Sequence, residues 1–237
     1  MSQVKRRAVF YVSGFDPKGA AHYHGLYKEQ SALQAQAGGL AIDVGPRKRL
    51  DNGNSYWTLK ANEGGADVQT HYEFMRWDDI VRAHWPKLQW HLWRDVIVTT
   101  LFYLRYGALW AMYKLSWPPA IAVFMPFVLL IAVLAGAPLF GAVAGWAAWR
   151  MTEHPAAVAF AALSAAAIVI WIGLALEVRY SMYWMMRSYA FTRRQALGRT
   201  PALETRLDAQ ADRLAKRLRE NVDDEVLVVG HSSGANM

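Results

Sequence analysis

Ser232 is the residue best placed by its neighbours to do chemistry. It sits in Gly230-His231-Ser232-Ser233-Gly234, a G-x-S-x-G pattern. Val226-Leu227-Val228-Val229, an apolar run of strand type, precedes the pattern, and Ala235-Asn236-Met237 would open a helix after it. A serine hydroxyl is a weak nucleophile until a neighbouring base takes its proton. The pattern supplies geometry: a sharp strand-to-helix turn holds the serine in strained backbone and lifts it above the sheet. Flanking glycines remove side chains that would collide with strand and helix. The Ser233 backbone N–H, at the start of that helix, provides half of an oxyanion hole. Attack on an acyl carbonyl is the chemistry such a serine performs. The chain has no cysteine, which excludes thiol nucleophiles, disulfides, zinc ribbons and iron–sulfur clusters together.

Other candidates are weaker. His22-Tyr23-His24 with Asp16 nearby offers two imidazoles but no third ligand at a suitable spacing, so His24 or Tyr23 lining a pocket near Ser232 is the better use. Asp78-Asp79 reads as a helix N-terminal cap, since adjacent carboxylates project apart and cannot share acid–base work. No phosphate loop, dinucleotide fingerprint, repeat or low-complexity tract occurs, and no cofactor or metal is expected.

Positioning Ser232 requires a sheet. Ala8 to Val12 is a short β-type run stopped by Ser13-Gly14-Phe15-Asp16-Pro17-Lys18-Gly19. Ala20 to Gln36 follows with helical spacing of Leu26, Leu33 and the alanines, closed by Gly38-Gly39. Leu40 to Leu50, Ser55 to Ala61 and Asp67 to Trp77 form a β-meander punctuated by Asp51-Asn52-Gly53-Asn54 and Asn62-Glu63-Gly64-Gly65. Thr200 to Glu220 is an amphipathic helix with Leu203, Leu207, Ala211, Leu214 and Leu218 on one stripe and Pro201 in its first turn.

The middle of the chain follows other rules. Hydrophobic residues make up 54% and charged residues 19% of the whole, with the shortage of charge concentrated here. Between Lys114 and Arg150 lie 35 uncharged positions, and between His154 and Glu177 another 22, where about 20 apolar residues span a bilayer core. Pro155 to Leu176 fits one crossing. Pro119 to Ala135 fits another, ended by a kink or break at Gly136-Ala137-Pro138. Leu139 to Trp149 then extends it, re-enters or lies in the interface. Val96 to Tyr113, which contains Arg105, is interfacial or a third crossing. Trp77, Trp85, Trp90 and Trp93 among Arg82, Lys87 and Arg94 suit an interfacial helix, although tryptophans of a soluble core look similar. Tyr180 to Tyr189 marks the membrane exit or a lipid-binding groove. Basic residues crowd both outer flanks, while the connection holds Arg150 beside Glu153. The expected arrangement is a hairpin with an even number of crossings and cytoplasmic N- and C-terminal parts. The net charge of +7 therefore points to membrane lipids as partners and not to nucleic acid. The crossings hold no charged residue, which disfavours a transporter.

Val228-Val229-Gly230-His231-Ser232-Ser233-Gly234-Ala235 resembles the nucleophile elbow of the α/β-hydrolase superfamily, in its lipase and esterase branches. Phe10-Tyr11-Val12-Ser13-Gly14-Phe15 resembles the strand and loop beside that family's oxyanion hole, with Ser13 where the family usually carries histidine. The resemblance covers about Arg7 to Leu50 and Thr200 to Met237. It implies Ser232 as nucleophile and the backbone N–H groups of Ser233 and Phe15 as the oxyanion hole. The family's acid and histidine follow the nucleophile in the chain, so both are expected beyond Met237 and this stretch is expected to be truncated and inactive alone. The fold expected is α/β, an incomplete hydrolase-like sheet with an inserted transmembrane hairpin. Residues 1–77 would be an N-terminal α/β part, 78–199 the aromatic and transmembrane insertion, and 200–237 the helix, strand and elbow. The expected function is a membrane-anchored serine hydrolase acting on a lipid or amphiphilic ester, with amides and thioesters open. The alternative is a non-catalytic membrane scaffold or partner-binding protein that keeps the elbow.

Overall fold

A computed structural model of the chain describes residues 4–38, 40–63, 65–85, 89–180 and 182–236. The chain forms two compact units, Met1–Trp85 with Thr200–Met237, and Pro86–Arg199.

The first unit is mixed α/β. Its elements are β1 (Arg6–Val12), α1 (Ala20–Gly38), β2 (Ile42–Val44), β3 (Lys48–Arg49), β4 (Ser55–Glu63), β5 (Ala66–Met75) and α2 (Asp78–His84). One six-stranded sheet has the order β2-β4-β5-β1 and then the strand Glu225–Gly230, with β3 paired to β4. The antiparallel meander β2, β4, β5 thus joins the same sheet through β5, which runs parallel to β1 with Val9 opposite Tyr72. Alternation along β1 sends Val9 and Tyr11 to one face and Ala8, Phe10 and Val12 to the other. On the first face, α1 docks Ala20, Tyr23 and Tyr27 on Val9, Trp57, Tyr72 and Phe74. Leu26 and Leu33, which set the expected helical spacing, are exposed. The rings of Tyr23 and Tyr27, one turn apart, reach the sheet instead. Arg82 donates to the Pro17 carbonyl at 2.9 Å, so α2 belongs to this unit although the sequence analysis starts the insertion at Asp78.

In the second unit, α3 (Gln89–Arg105) ends at Gly107, whose φ of 68° breaks the helix before α4 (Ala108–Leu115). Two helices are long and apolar enough to cross a membrane, α5 (Trp117–Thr152) and α6 (Pro155–Tyr180). Val96 to Tyr113 adds no third among the described residues. Of the expected courses, extension is the one found: the helix does not break at Gly136-Ala137-Pro138, and α5 continues through both Pro126 and Pro138 and through Leu139 to Trp149 for 36 residues, about 54 Å at about 1.5 Å per residue. Each proline removes a hydrogen-bond donor without ending the helix. The two helices form an antiparallel hairpin packed through small residues. A side chain on Gly141 would meet the Ala162 carbonyl at 3.0 Å. One on Gly145 would meet Ala162 at 3.3 Å, and Gly173 lies against Val133. α7 (Met182–Ala196) packs against α3 around Leu92, Val96, Tyr183 and Met186. In the most apolar window of α6 only 6% of residues are buried, so α6 is not the core helix of this unit.

The first unit is completed by α8 (Pro201–Glu220), β6 (Glu225–Gly230) and a 3-10 turn, Ser232–Asn236. Leu203 and Leu214 of α8 are buried or packed on the sheet, whereas Leu218 is exposed.

Candidate active site

The site is assembled where β1 and β6 end side by side. The strands run parallel with Val12 opposite Gly230, and the His231 N–H donates to the Val12 carbonyl at 3.0 Å. Ser232 then turns into the left-handed region with φ of 55°, a strained conformation for a side-chain-bearing residue. The glycines of the motif have steric causes. A Cβ on Gly230 would stand 2.6 Å from the Ala235 Cα, and one on Gly234 would fall on the Val12 and Ser13 carbonyl oxygens. Gly14 has the same cause from the other side, since its Cβ would be 3.0 Å from Ser232 Cβ. Strand, turn and neighbouring loop approach one another more closely than side chains allow.

Phe15 and Ser233, the two residues given oxyanion roles, are in contact. The Phe15 N–H donates to Ser233 Oγ at 2.7 Å. The loop is held by Trp77, whose indole N–H donates to the Ser13 carbonyl at 2.9 Å, and by Trp85, which stacks on Phe15 with centroids 5.8 Å apart. Ser13 is fully buried and its hydroxyl has no hydrogen-bond partner among the described residues. A cavity of about 260 Å³ lies between α8 and the sheet, lined by Arg206, Gln210 and Leu214 of the helix and by Val12, Met75 and Val228 of the strands; neither Ser232 nor Phe15 lines it.

The other candidates lie elsewhere in this unit. His22 and His24 fall on helix α1, where residues two apart diverge, and His24 Nε2 is 2.8 Å from the Gly45 carbonyl. Among the described residues no group of three or more metal-ligating side chains gathers. Tyr23 packs on Tyr11 and Phe74 and donates to Asp16 at 3.2 Å. Burial and then the Asp16 charge push its phenol pKa up, so it stays a proton donor. Asp78 and Asp79 are not the N-terminal cap. That position belongs to Trp77 without a side-chain hydrogen bond, and arginines take both carboxylates. Asp78 pairs with Arg82 and Arg76, and Asp79 with Arg206 at 2.9 Å.

Sequence reasoning missed a polar clasp between α8 and the sheet. Arg206, Gln210, Arg213 and Arg217 recur at helical spacing beside the leucine stripe. Their respective partners are Asp79, Asn54, Glu73 and Asp223. Glu73 is fully buried, accepts from Asn54 at 2.8 Å and Arg213 at 3.1 Å, and lies 3.5 Å from His71 Nε2. Burial pushes its carboxyl pKa up, but these donors outweigh burial and hold it down at about 2. The polar residues at 206, 210, 213 and 217 were the available signal.

Comparisons with protein-family models, curated proteins and solved structures found no match. What the site can do is therefore argued from its geometry. The geometry brings together a serine on a strained turn and a loop N–H that donates to the adjacent serine hydroxyl. Among the described residues no base is hydrogen-bonded to the Ser232 hydroxyl.

Proposed function

We propose that this protein is a membrane-anchored serine hydrolase of α/β-hydrolase type, acting on a lipid or amphiphilic ester with Ser232 as nucleophile. The observation that carries this reading is Ser232 at φ 55° between Gly230 and Gly234, each pressed against backbone that excludes any side chain. The Ser233 and Phe15 N–H groups would hold the oxyanion once the Ser233 hydroxyl releases the second of them. The general base and its orienting acid are assigned to chain following the elbow. The open edge of β6 supports this, because Leu227, Val228 and Val229 are exposed there although their continuous apolar run suits a strand covered on both faces. Membrane anchoring is assigned to α5 and α6. The register of β1 with β6 supports an even number of crossings, because strands flanking the hairpin in sequence can share a sheet only on one side of a bilayer. The basic flanks make that side cytoplasmic.

A second reading, a non-catalytic scaffold, is favoured by the Phe15 N–H being taken up by Ser233 Oγ and by the lack of a base on Ser232 among the described residues. Fluorophosphonate labelling of membranes expressing the protein from its natural reading frame separates the two. Labelling that disappears in Ser232→Ala is the expected result. No labelling of a folded, membrane-inserted protein selects the scaffold.

A further inference from the structure

In the second unit one buried carboxylate lies among a cluster of arginines. Asp95 on α3, 2% exposed, faces three guanidiniums: Arg194 at 2.5 Å, Arg193 at 3.6 Å and Arg94 at 3.9 Å. Arg199 is brought back toward them where the chain leaves α7. Gly198 adopts φ of 65°, and the Arg199 N–H bonds the Arg194 carbonyl at 2.9 Å. Arg193 feels Arg94, Arg194 and Arg199 as like charges. Burial first, and then those neighbours, lower its pKa against the opposing pull of Asp95. Its Nε is buried and has no acceptor among the described residues. The only other acidic residues between 86 and 199 are Glu153 and Glu177. Glu153 follows α5, and Glu177 accepts the Tyr183 N–H and acts on Arg187. Asp95 is thus shared by three arginines while the charge of Arg199 also acts on Arg193, an arrangement that an anion relieves.

We propose that Arg94, Arg193, Arg194 and Arg199 form a binding site for a phosphate group. Asp95 acts as the internal strut that holds Arg193 and Arg194 in place, while the exposed Arg94 and Arg199 close on the ligand. Phosphate suits this cluster because its several acceptor oxygens engage planar guanidinium forks from different directions, whereas one carboxylate accepts fewer donors. The surroundings favour an acidic phospholipid headgroup as its source. Trp90 and Trp93 on α3, 65% and 38% exposed, are the amphipathic rings found at headgroup depth, and the unit carries both apolar helices. This site is independent of Ser232 and of the hydrolase reading.

The test is thermal unfolding of the purified 237-residue chain in non-ionic detergent with short-chain phosphatidic acid, short-chain phosphatidylcholine or inorganic phosphate. The chain is compared with Arg94→Gln/Arg199→Gln and with a charge-matched control, Lys114→Gln/Arg150→Gln. The expected result is a rise in Tm of several degrees with phosphatidic acid that the first variant loses and the control keeps, both variants having the unliganded Tm of the wild type. A larger rise with phosphatidic acid than with phosphate assigns the site to lipid. An equal rise assigns it to a soluble phosphate compound. No rise with either, or a rise lost equally in the control, overturns the site.

Discussion

The two units solve the burial of charge in opposite ways. Of the 26 basic and 19 acidic residues, 16 of each lie in the sheet-bearing unit, which is formally neutral; residues 86–199 hold ten basic and three acidic residues and so the whole of the +7. In the first unit, arginines of α8 meet carboxylates of β5, of α2 and of the turn before β6, and the interior is closed by aromatic rings such as Trp57 stacked on Tyr72 at 4.7 Å. In the second, apolar side chains point outward. Phe160 is 75% and Leu163 71% exposed, surface that water would not tolerate as a continuous patch. The two units thus differ in kind, and among the described residues the second alone carries helices long and apolar enough to cross a membrane.

Removing a carboxylate from the clasp gives the largest expected effect. Glu73→Gln leaves Arg213 without its charge partner and should destabilise the sheet unit by about 3–5 kcal/mol. Hydrogen exchange of β5 peptides reads this directly. The same residue sets a pH dependence. Its folded pKa of about 2 lies below the ordinary 4.5, so its contribution is present above about pH 4.5 and is lost as pH falls toward 2. Wild type and Glu73→Gln should converge in protection over that window. Equal protection of the two at pH 7 would mean that the clasp is ornamental.

A matched pair of arginine substitutions probes the proposed membrane anchoring. Leu163→Arg on α6 should cost about 2.5–3.5 kcal/mol of membrane insertion, scored by alkali extraction of membranes. Leu33→Arg on α1, also at an exposed leucine, should shift stability by no more than about 0.5 kcal/mol. Comparable small effects at both positions would erase the contrast between the units.

Glycine substitutions make a smaller test inside the first unit. Gly234→Ala drives a methyl group into the carbonyls of Val12 and Ser13 and should cost about 1–3 kcal/mol, with loss of any Ser232 labelling. Gly25→Ala on α1 meets nothing within 4 Å and should instead stabilise by about 0.5–1 kcal/mol in thermal unfolding.

Much of this was legible where the pattern is local. The strand at Ala8 to Val12, the helix from Pro201, the two apolar stretches and the G-x-S-x-G turn all appear at or near the expected positions. Misreadings arose where the deciding contact was distant. Leu26 and Leu33 gave α1 a plausible face, but the aromatic sheet surface selected Tyr23 and Tyr27. Asp78 and Asp79 looked like a cap until Arg82 and Arg206 took them.

By itself the sequence determined the residue types of the elbow and the apolar length of the two long helices. Those properties follow from side-chain size, charge and period within windows of a few turns. Tertiary structure alone decided that β1 and β6, 218 positions apart at Arg7 and Glu225, are neighbours, and so that Phe15 reaches Ser233 and Gly14 meets Ser232. Strand pairing is chosen by the fit of whole faces, and no short stretch of chain carries that information.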